Sequence, residues 1–286
     1  TGLALLVYAC SSAGAGTKTA AAWGALALSA ALLLAFVIVE SRRAAPLVPL
    51  ALFRNRTFTA VLNAGGAFGA IMGTSIFLLT LYLQERLGFS PLRTGLAFLP
   101  QECVVLLASP LAGRAVGRFG AKAVLAGGMG FFGAGMLTLS GLSAQGDYWR
   151  TVIPGLLFVG LGVSCVIVAG AAAITAAVDP GRQGLASGLW NTAPQIGTAV
   201  GLAALVALAR LQGDGGLDPV HAFGMDINAG APAGGKEGVT EVGPPEGATG
   251  VSMAGFRAAF LAAACIAAAG LASVLAGMKT KAAQTS

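Results

Sequence analysis

Residues 92–142 read LRTGLAFLPQECVVLLASPLAGRAVGRFGAKAVLAGGMGFFGAGMLTLSGL. Two apolar runs, 92–112 and 121–142, flank a short stretch that carries Arg114, Arg118 and Lys122. Each run is about 20 residues, the length of helix that crosses ~30 Å of hydrocarbon. Strands of a membrane barrel would alternate apolar and polar residues over ~10 positions; these runs are continuous. In lipid, backbone N–H and C=O groups have no water to bond, so a spanning run must close its hydrogen bonds within itself, as a helix. The pattern therefore predicts a helix, a tight basic turn allowed by Gly113, Gly117 and Gly120, and a second helix running back.

The same pattern extends in both directions. Further apolar segments occupy 2–14, 20–39, 59–83, 151–177, 185–208 and 255–277, which makes eight in all. The chain of 286 residues is 56% hydrophobic and only 10% charged, against about 25% charged in a soluble domain. Its mean hydropathy is +0.81. A surface so poor in charge does not face water over this length. The 43 glycines fit the same class, because small residues let membrane helices approach closely. Cys10, Cys103, Cys165 and Cys265 each stand alone in an apolar segment. With no CxxC pair they support neither a disulfide framework nor a zinc site, and they read as small packing residues. The chain starts at Thr1 with no basic leader, and it reads as a fragment that begins inside a hydrophobic segment.

The net charge of +6 would suggest nucleic acid in a soluble protein, but its distribution says otherwise. Alternate loops hold Arg42, Arg43, Arg54, Arg56, Arg114, Arg118, Lys122, Arg182, Lys279 and Lys281 against only Glu40 and Asp179. The other loops hold seven basic residues against eight acids. The rule that short basic loops stay inside makes the first set cytoplasmic, together with the C-terminus. It predicts a multi-pass cell-membrane protein. The loop 209–254 falls outside, and its Gly, Pro, Asp and Glu content is too polar to fold alone. His221 lies there; it is expected to be a solvated loop side chain, with a pH-sensing role as the alternative.

Several motifs carry no chemistry here. Gly128-x-Gly130-x-x-Gly133 matches a dinucleotide fingerprint, but it lies inside a membrane segment with no preceding strand. It reads as helix packing. Asn55-Arg56-Thr57 matches a glycosylation sequon on the cytoplasmic side. Walker A, HExxH and G-x-S-x-G patterns are absent, so no cofactor, metal or catalytic residue is expected. An intramembrane enzyme would need a second carboxylate or a Ser–His or Ser–Lys pair at depth, and only one carboxylate is there.

That carboxylate is Glu102, midway between Arg93 and Arg114. An ionisable group at such depth is costly and marks a functional site by default. A lone carboxyl at that depth is a candidate proton carrier. Gly95, Phe98, Val105, Leu106 and Ser109 share its helical face as a pocket wall. Around Pro194, Asn191 and Gln195 stand at i and i+4 with both amides on one face. They suit interhelical bonding or substrate contact. Asn63, Thr74 and Ser75 are weaker candidates of the same kind, and Tyr82 and Gln84 are expected at the interface.

These residues resemble the major facilitator superfamily, and more closely its fourteen-helix drug:proton antiporter branch. The resemblance rests on four stretches, 46–56, 88–100, 113–122 and 184–197, in order and on consistent sides. It implies an all-α polytopic fold. Segments three to eight (59–277) would form the C-terminal six-helix bundle. The first two, within 1–40, would be linking helices, with a cytoplasmic linker at 41–58 and a cytoplasmic tail at 278–286. It also implies proton-coupled efflux of small amphipathic molecules. Glu102 would bind proton or substrate cation, and Asn63, Asn191 and Gln195 would offer hydrogen bonds. Gly113, Arg114, Arg118, Gly120 and Lys122 would form an inner gating loop making contacts between bundles. The partners implied are the bilayer, protons, a small-molecule substrate and an N-terminal half of the same protein. Nutrient uptake and a non-transporting scaffold or sensor are the alternatives. Gly117 stands where the gating motif often has aspartate, and Ala193 and Pro194 stand where relatives often have a small polar residue and arginine.

Overall fold

A computed structural model describes residues 49–142, 148–211 and 253–278, with Leu28 and Ala31. The segments at 2–14 and 20–39, nearly all of the loop 209–254 with its His221, and the tail after Met278 lie outside the described residues. The chain divides into two compact units, Leu47–Leu202 with Met253–Ser286, and Thr1–Pro46 with Ala203–Ser252. The first contains the helices discussed here. Of the second, only Leu28, Ala31 and the last turns of one helix are described, all helical.

A short 3₁₀ turn, Leu50–Arg54, leads into α1 (Arg56–Leu81), which ends in a π-turn, Tyr82–Arg86. Then come α2 (Pro91–Ala97), α3 (Leu99–Ser140), and α4 (Ile153–Ala176) preceded by a π-turn, Tyr148–Val152. A 3₁₀ turn, Pro180–Arg182, precedes α5 (Gln183–Leu211), and α6 is Met253–Gly277. No strand occurs among the described residues, so the all-α expectation holds. Four helices there are long and apolar enough to cross a membrane.

One of those four is 50 residues long, from Pro91 to Ser140. A straight helix of that length would span about 75 Å, more than twice the hydrocarbon core. The break is at Gly120, whose φ of 80° and ψ of 155° are not helical. Residues 101 and 128 would stand about 40 Å apart on a straight helix. Instead, Gln101 meets α4 at Gly160 while Gly128 and Phe132 meet it at Gly162. The two limbs of α3, 99–119 and 121–140, therefore run antiparallel on either side of α4. The expected turn through three glycines is corrected here: Gly113 and Gly117 lie within helix, and Gly120 alone makes the reversal.

Helix ends are tied by side chains. Asn55 Oδ1 accepts from the N–H groups of Thr57 (3.0 Å) and Phe58 (3.4 Å) and caps α1. Its Nδ2 donates to the Ala177 carbonyl at the end of α4, 3.1 Å away. The sequon asparagine is thus a helix cap and a clasp. Lys122 Nζ donates to the carbonyls of Leu275 (3.0 Å) and Met278, satisfying the orphan acceptors at the end of α6. These bonds, with Gly277 against the Arg56 carbonyl, gather the helix ends that carry Arg54, Arg56, Lys122 and Arg182 at one end of the bundle. At the other end Tyr82 stacks on Phe256, ring centroids 6.0 Å apart. Tyr82 was expected at the interface, but it is fully buried.

Glycines set the interhelical distances. In α1, Gly65, Gly69 and Gly73 recur every four residues against Trp190, Pro194 and Thr198 of α5. Gly197 and Gly201 of α5 face Gly66 and Ala70 in return. A Cβ at Gly69 would overlap the Pro194 carbonyl, one at Gly197 would overlap that of Gly66, and one at Gly201 would stand 2.6 Å from the Ala70 oxygen. Thr198 Oγ1 donates to the Gly69 carbonyl at 2.9 Å across this seam. Gly128 of the supposed dinucleotide motif packs against Cys165 and Val166, and Gly133 against Ala267, whereas Gly130 faces open space. Cys165 packs inside as expected, but Cys103 and Cys265 are exposed on the outside of the bundle.

Two outcomes follow for thermal unfolding in detergent. Gly69→Ala should destabilise by about 3 kcal/mol, the upper part of the range for overpacking, while Gly127→Ala and Gly130→Ala, which meet nothing within 4 Å, should not lower the midpoint and should raise it slightly through helix propensity. Lys122→Met should cost about 1–2 kcal/mol and speed amide exchange at the end of α6. Lys122→Arg should retain part of the tie.

Candidate functional site

The first limb of α3 touches the bundle along one stripe only. Ala97 and Gln101 are buried, and Val104 packs at Gly160. Ser164 Oγ of α4 donates to the Val105 carbonyl (3.3 Å) while bonding Gly160 of its own helix (2.8 Å). The opposite face is uncovered. Leu99 and Leu111 are more than half exposed, and Leu106 and Leu107 about three-quarters.

Glu102 lies on that uncovered, strongly apolar face. Its Oε1 accepts from Nε2 of the neighbouring Gln101 at 3.1 Å. The buried Gln101 (3% exposed) thus holds the carboxylate from within the bundle, and this partner was not singled out in the sequence. Measured along the helix, Glu102 is about 14 Å from Arg93 and about 18 Å from Arg114. Of the expected pocket wall, Gly95 and Leu106 are exposed, while Phe98, Val105 and Ser109 are half-buried. Ser109 Oγ donates to the Val105 carbonyl of its own helix at 2.6 Å. Pro110 has no N–H to give the Leu106 carbonyl one turn beyond Glu102.

Asn191 and Gln195 are both exposed on α5, one turn apart, and so share an uncovered face. Asn191 Nδ2 donates to the Ser187 carbonyl (3.0 Å) and Thr192 Oγ1 to that of Gly188 (2.8 Å). Beneath them Trp190 is buried, with its ring against Gly65 of α1 and Gly170 of α4. This wedge orients the start of α5, and the paired glycines on other helices give no sign of it in sequence. Asn63 is also exposed. No hydrogen bond joins any two of Glu102, Asn63, Asn191 and Gln195 among the described residues. Thr74 and Ser75 are buried, and Ser75 Oγ donates to Met72 of its own helix (3.0 Å). They belong to the core, not to an open face.

The stretch 113–122 separates into two parts. Arg114 and Arg118 are exposed on one side of the limb, and nothing stands within 4 Å of where side chains at Gly113, Gly117 and Gly120 would begin. Lys122 is spent inside the bundle on α6. Arg118 lies over the exposed ring of Phe119, 5.3 Å from its centroid. No group of three or more His, Cys, Asp or Glu residues is placed to hold a metal among the described residues.

Known proteins share this pattern. A lincomycin resistance protein of Streptomyces lincolnensis is 35% identical over 185 residues, which are 65% of this chain and 38% of that protein. A tetracenomycin C resistance and export protein of Streptomyces glaucescens is 34% identical over 210 residues, 70% of this chain and 38% of that protein. The multidrug resistance protein Stp of Mycobacterium tuberculosis is 33% identical over 171 residues, 59% of this chain and 31% of that protein. The chain thus spans well under half the length of these relatives. The family model described as Major Facilitator Superfamily matches residues 62–213, just over half of the chain and most of the helices built above. The antiparallel helices, the glycine-set contacts and this match agree, and the chain belongs to the major facilitator superfamily of membrane transporters.

Proposed function

We propose that this chain is the C-terminal part of a proton-coupled exporter of small amphipathic molecules. It would work in the cell membrane, with its basic end and C-terminus in the cytoplasm. The observation that carries the reading is Glu102, a carboxylate on an apolar, uncovered helix face about midway between Arg93 and Arg114. Two of the relatives are named for resistance to lincomycin and for resistance to and export of tetracenomycin C, which supports outward movement of such compounds.

In this reading an N-terminal bundle of the same protein covers the face that carries Glu102. Substrate sits between the bundles, which rock to expose it to each side in turn. Glu102 exchanges a proton for a cationic or polar substrate group, so that one carboxylate serves both ligands alternately. Asn63, Asn191 and Gln195 offer hydrogen bonds to the substrate. Arg114 and Arg118, with the open surface over Gly113, Gly117 and Gly120, receive the other bundle when the inner side closes. Lys122 supports that turn from within its own bundle.

The test uses the complete protein in inside-out vesicles with an imposed proton gradient. A lipophilic cationic dye is added, and dye accumulation and proton release are followed together. The expected result is uptake that collapses with an uncoupler, release of protons on dye addition, and loss of both in Glu102→Gln. Coupled uptake that survives in Glu102→Gln would sink the proton assignment. Dye accumulation driven in the opposite sense would mark the protein as an importer.

A further inference from the structure

We infer that Tyr148 is a positioning residue for Glu102: its hydroxyl latches the carbonyl that the chain leaves unpaired at the end of α2, just before the Glu102 limb. The inference rests on the transport role proposed for Glu102, but its structural basis is separate. The helix is interrupted between α2 and α3. Phe98 N–H donates to Gly95 and Leu96, while Gln101 and Glu102 N–H both turn to the Phe98 carbonyl, at 3.1 and 3.3 Å. The Ala97 carbonyl is thereby deprived of the donor it would have in a continuous helix. A bare carbonyl at the edge of lipid is costly. Tyr148 Oη donates to it at 2.8 Å.

The phenol is itself held. Its ring packs on Phe89 with centroids 5.9 Å apart and on Trp149 at 5.7 Å. The Arg93 guanidinium caps Phe89 at 4.0 Å, a distance at which a cation is drawn to a ring face. The Arg93 N–H is capped in turn by Ser90 Oγ at 3.3 Å. The latch therefore joins the head of α4 to the near side of the interruption, where α2 ends just before the Glu102 limb begins.

Three ties then place the end of α2 and the limb on α4. These are Tyr148 at Ala97, the close approach of Gln101 and Val104 to Gly160, and Ser164 at Val105. Glu102 lies between the first and the last. The head of the limb is the end beside the interruption, where no continuous helical ladder stiffens it. Without the first tie, the turn that carries Gln101 and Glu102 pivots about Gly160, and the carboxylate loses its fixed depth.

The experiment uses the complete protein with cysteines other than Cys103 replaced by serine and Leu157→Cys added on α4. Both positions are exposed. Spin labels at the two sites report the limb-to-α4 distance by double electron–electron resonance. Dye uptake and proton release are measured in parallel vesicles. Tyr148→Phe keeps the ring stack and removes only the hydroxyl. The expected result is a shifted or broadened distance distribution and a loss of protons released per dye, with protein amount retained. Superimposable distributions overturn the inference. A broadened distribution with an unchanged proton-to-dye ratio also overturns it and leaves Tyr148 as a structural tie alone. Glu102→Gln measured alongside separates the failures: coupled uptake surviving there removes the proton role of Glu102, whereas loss there beside an unchanged ratio in Tyr148→Phe removes only the latch.

Discussion

Two helices surrounded by lipid gain little from hiding apolar side chains against each other, because the lipid is as apolar as the partner. What remains is dispersion, which needs close contact, and hydrogen bonding, which needs exposed backbone. The α1–α5 seam supplies both. Gly69 and Gly197 remove the side chains that would hold the backbones apart, and Thr198 then reaches the Gly69 carbonyl at 2.9 Å. The same economy recurs where Gly128 and Gly162 bring the second limb of α3 against α4, and where Gly170 and Gly65 make room for Trp190. With these contacts in place, the remaining surfaces of α3 and α5 are left uncovered, and those surfaces carry Glu102, Asn191 and Gln195.

Much of this was legible from hydropathy. Segment length predicted most of the described helices to within a few residues, and the seventh segment, expected at 185–208, is α5 at Gln183–Leu211; the segment expected at 92–112 is instead broken at Phe98 and continues to Phe119. The alternation of basic loops foreshadowed the clustering of helix ends through Asn55 and Lys122. The three-glycine turn was read too generously. Sequence shows where glycine stands but not which glycine the chain needs at positive φ, and helical geometry satisfied Gly113 and Gly117 without it. Tyr82 was misplaced for a related reason. An aromatic residue at the end of a segment suits the interface on average, but here Phe256 of a helix distant in sequence covers it.

The site was legible in part. Glu102 stands out because a carboxylate in an apolar run has no routine explanation. Its support does not stand out: Gln101 is one more polar residue, Ser164 sits on another helix, and the link from Tyr148 to Ala97 crosses fifty-one positions. Such bonds depend on which carbonyl an interruption leaves unpaired, and that is a property of the folded backbone. Asn55 was the reverse case. Its place before an apolar helix is a cap signature, overshadowed by the sequon it also completes.

The reversal at Gly120 has a mechanical corollary. A long loop between two spans absorbs displacement, so that one helix moves while the other stays. A joint of one residue has no such slack. Any tilt or twist of the limb bearing Arg114 and Arg118 is delivered at once to Lys122, and through its bonds to the end of α6. An inserted residue at this joint would turn Lys122 away from the α6 carbonyls it bonds, so the register of the segment is set by that tie.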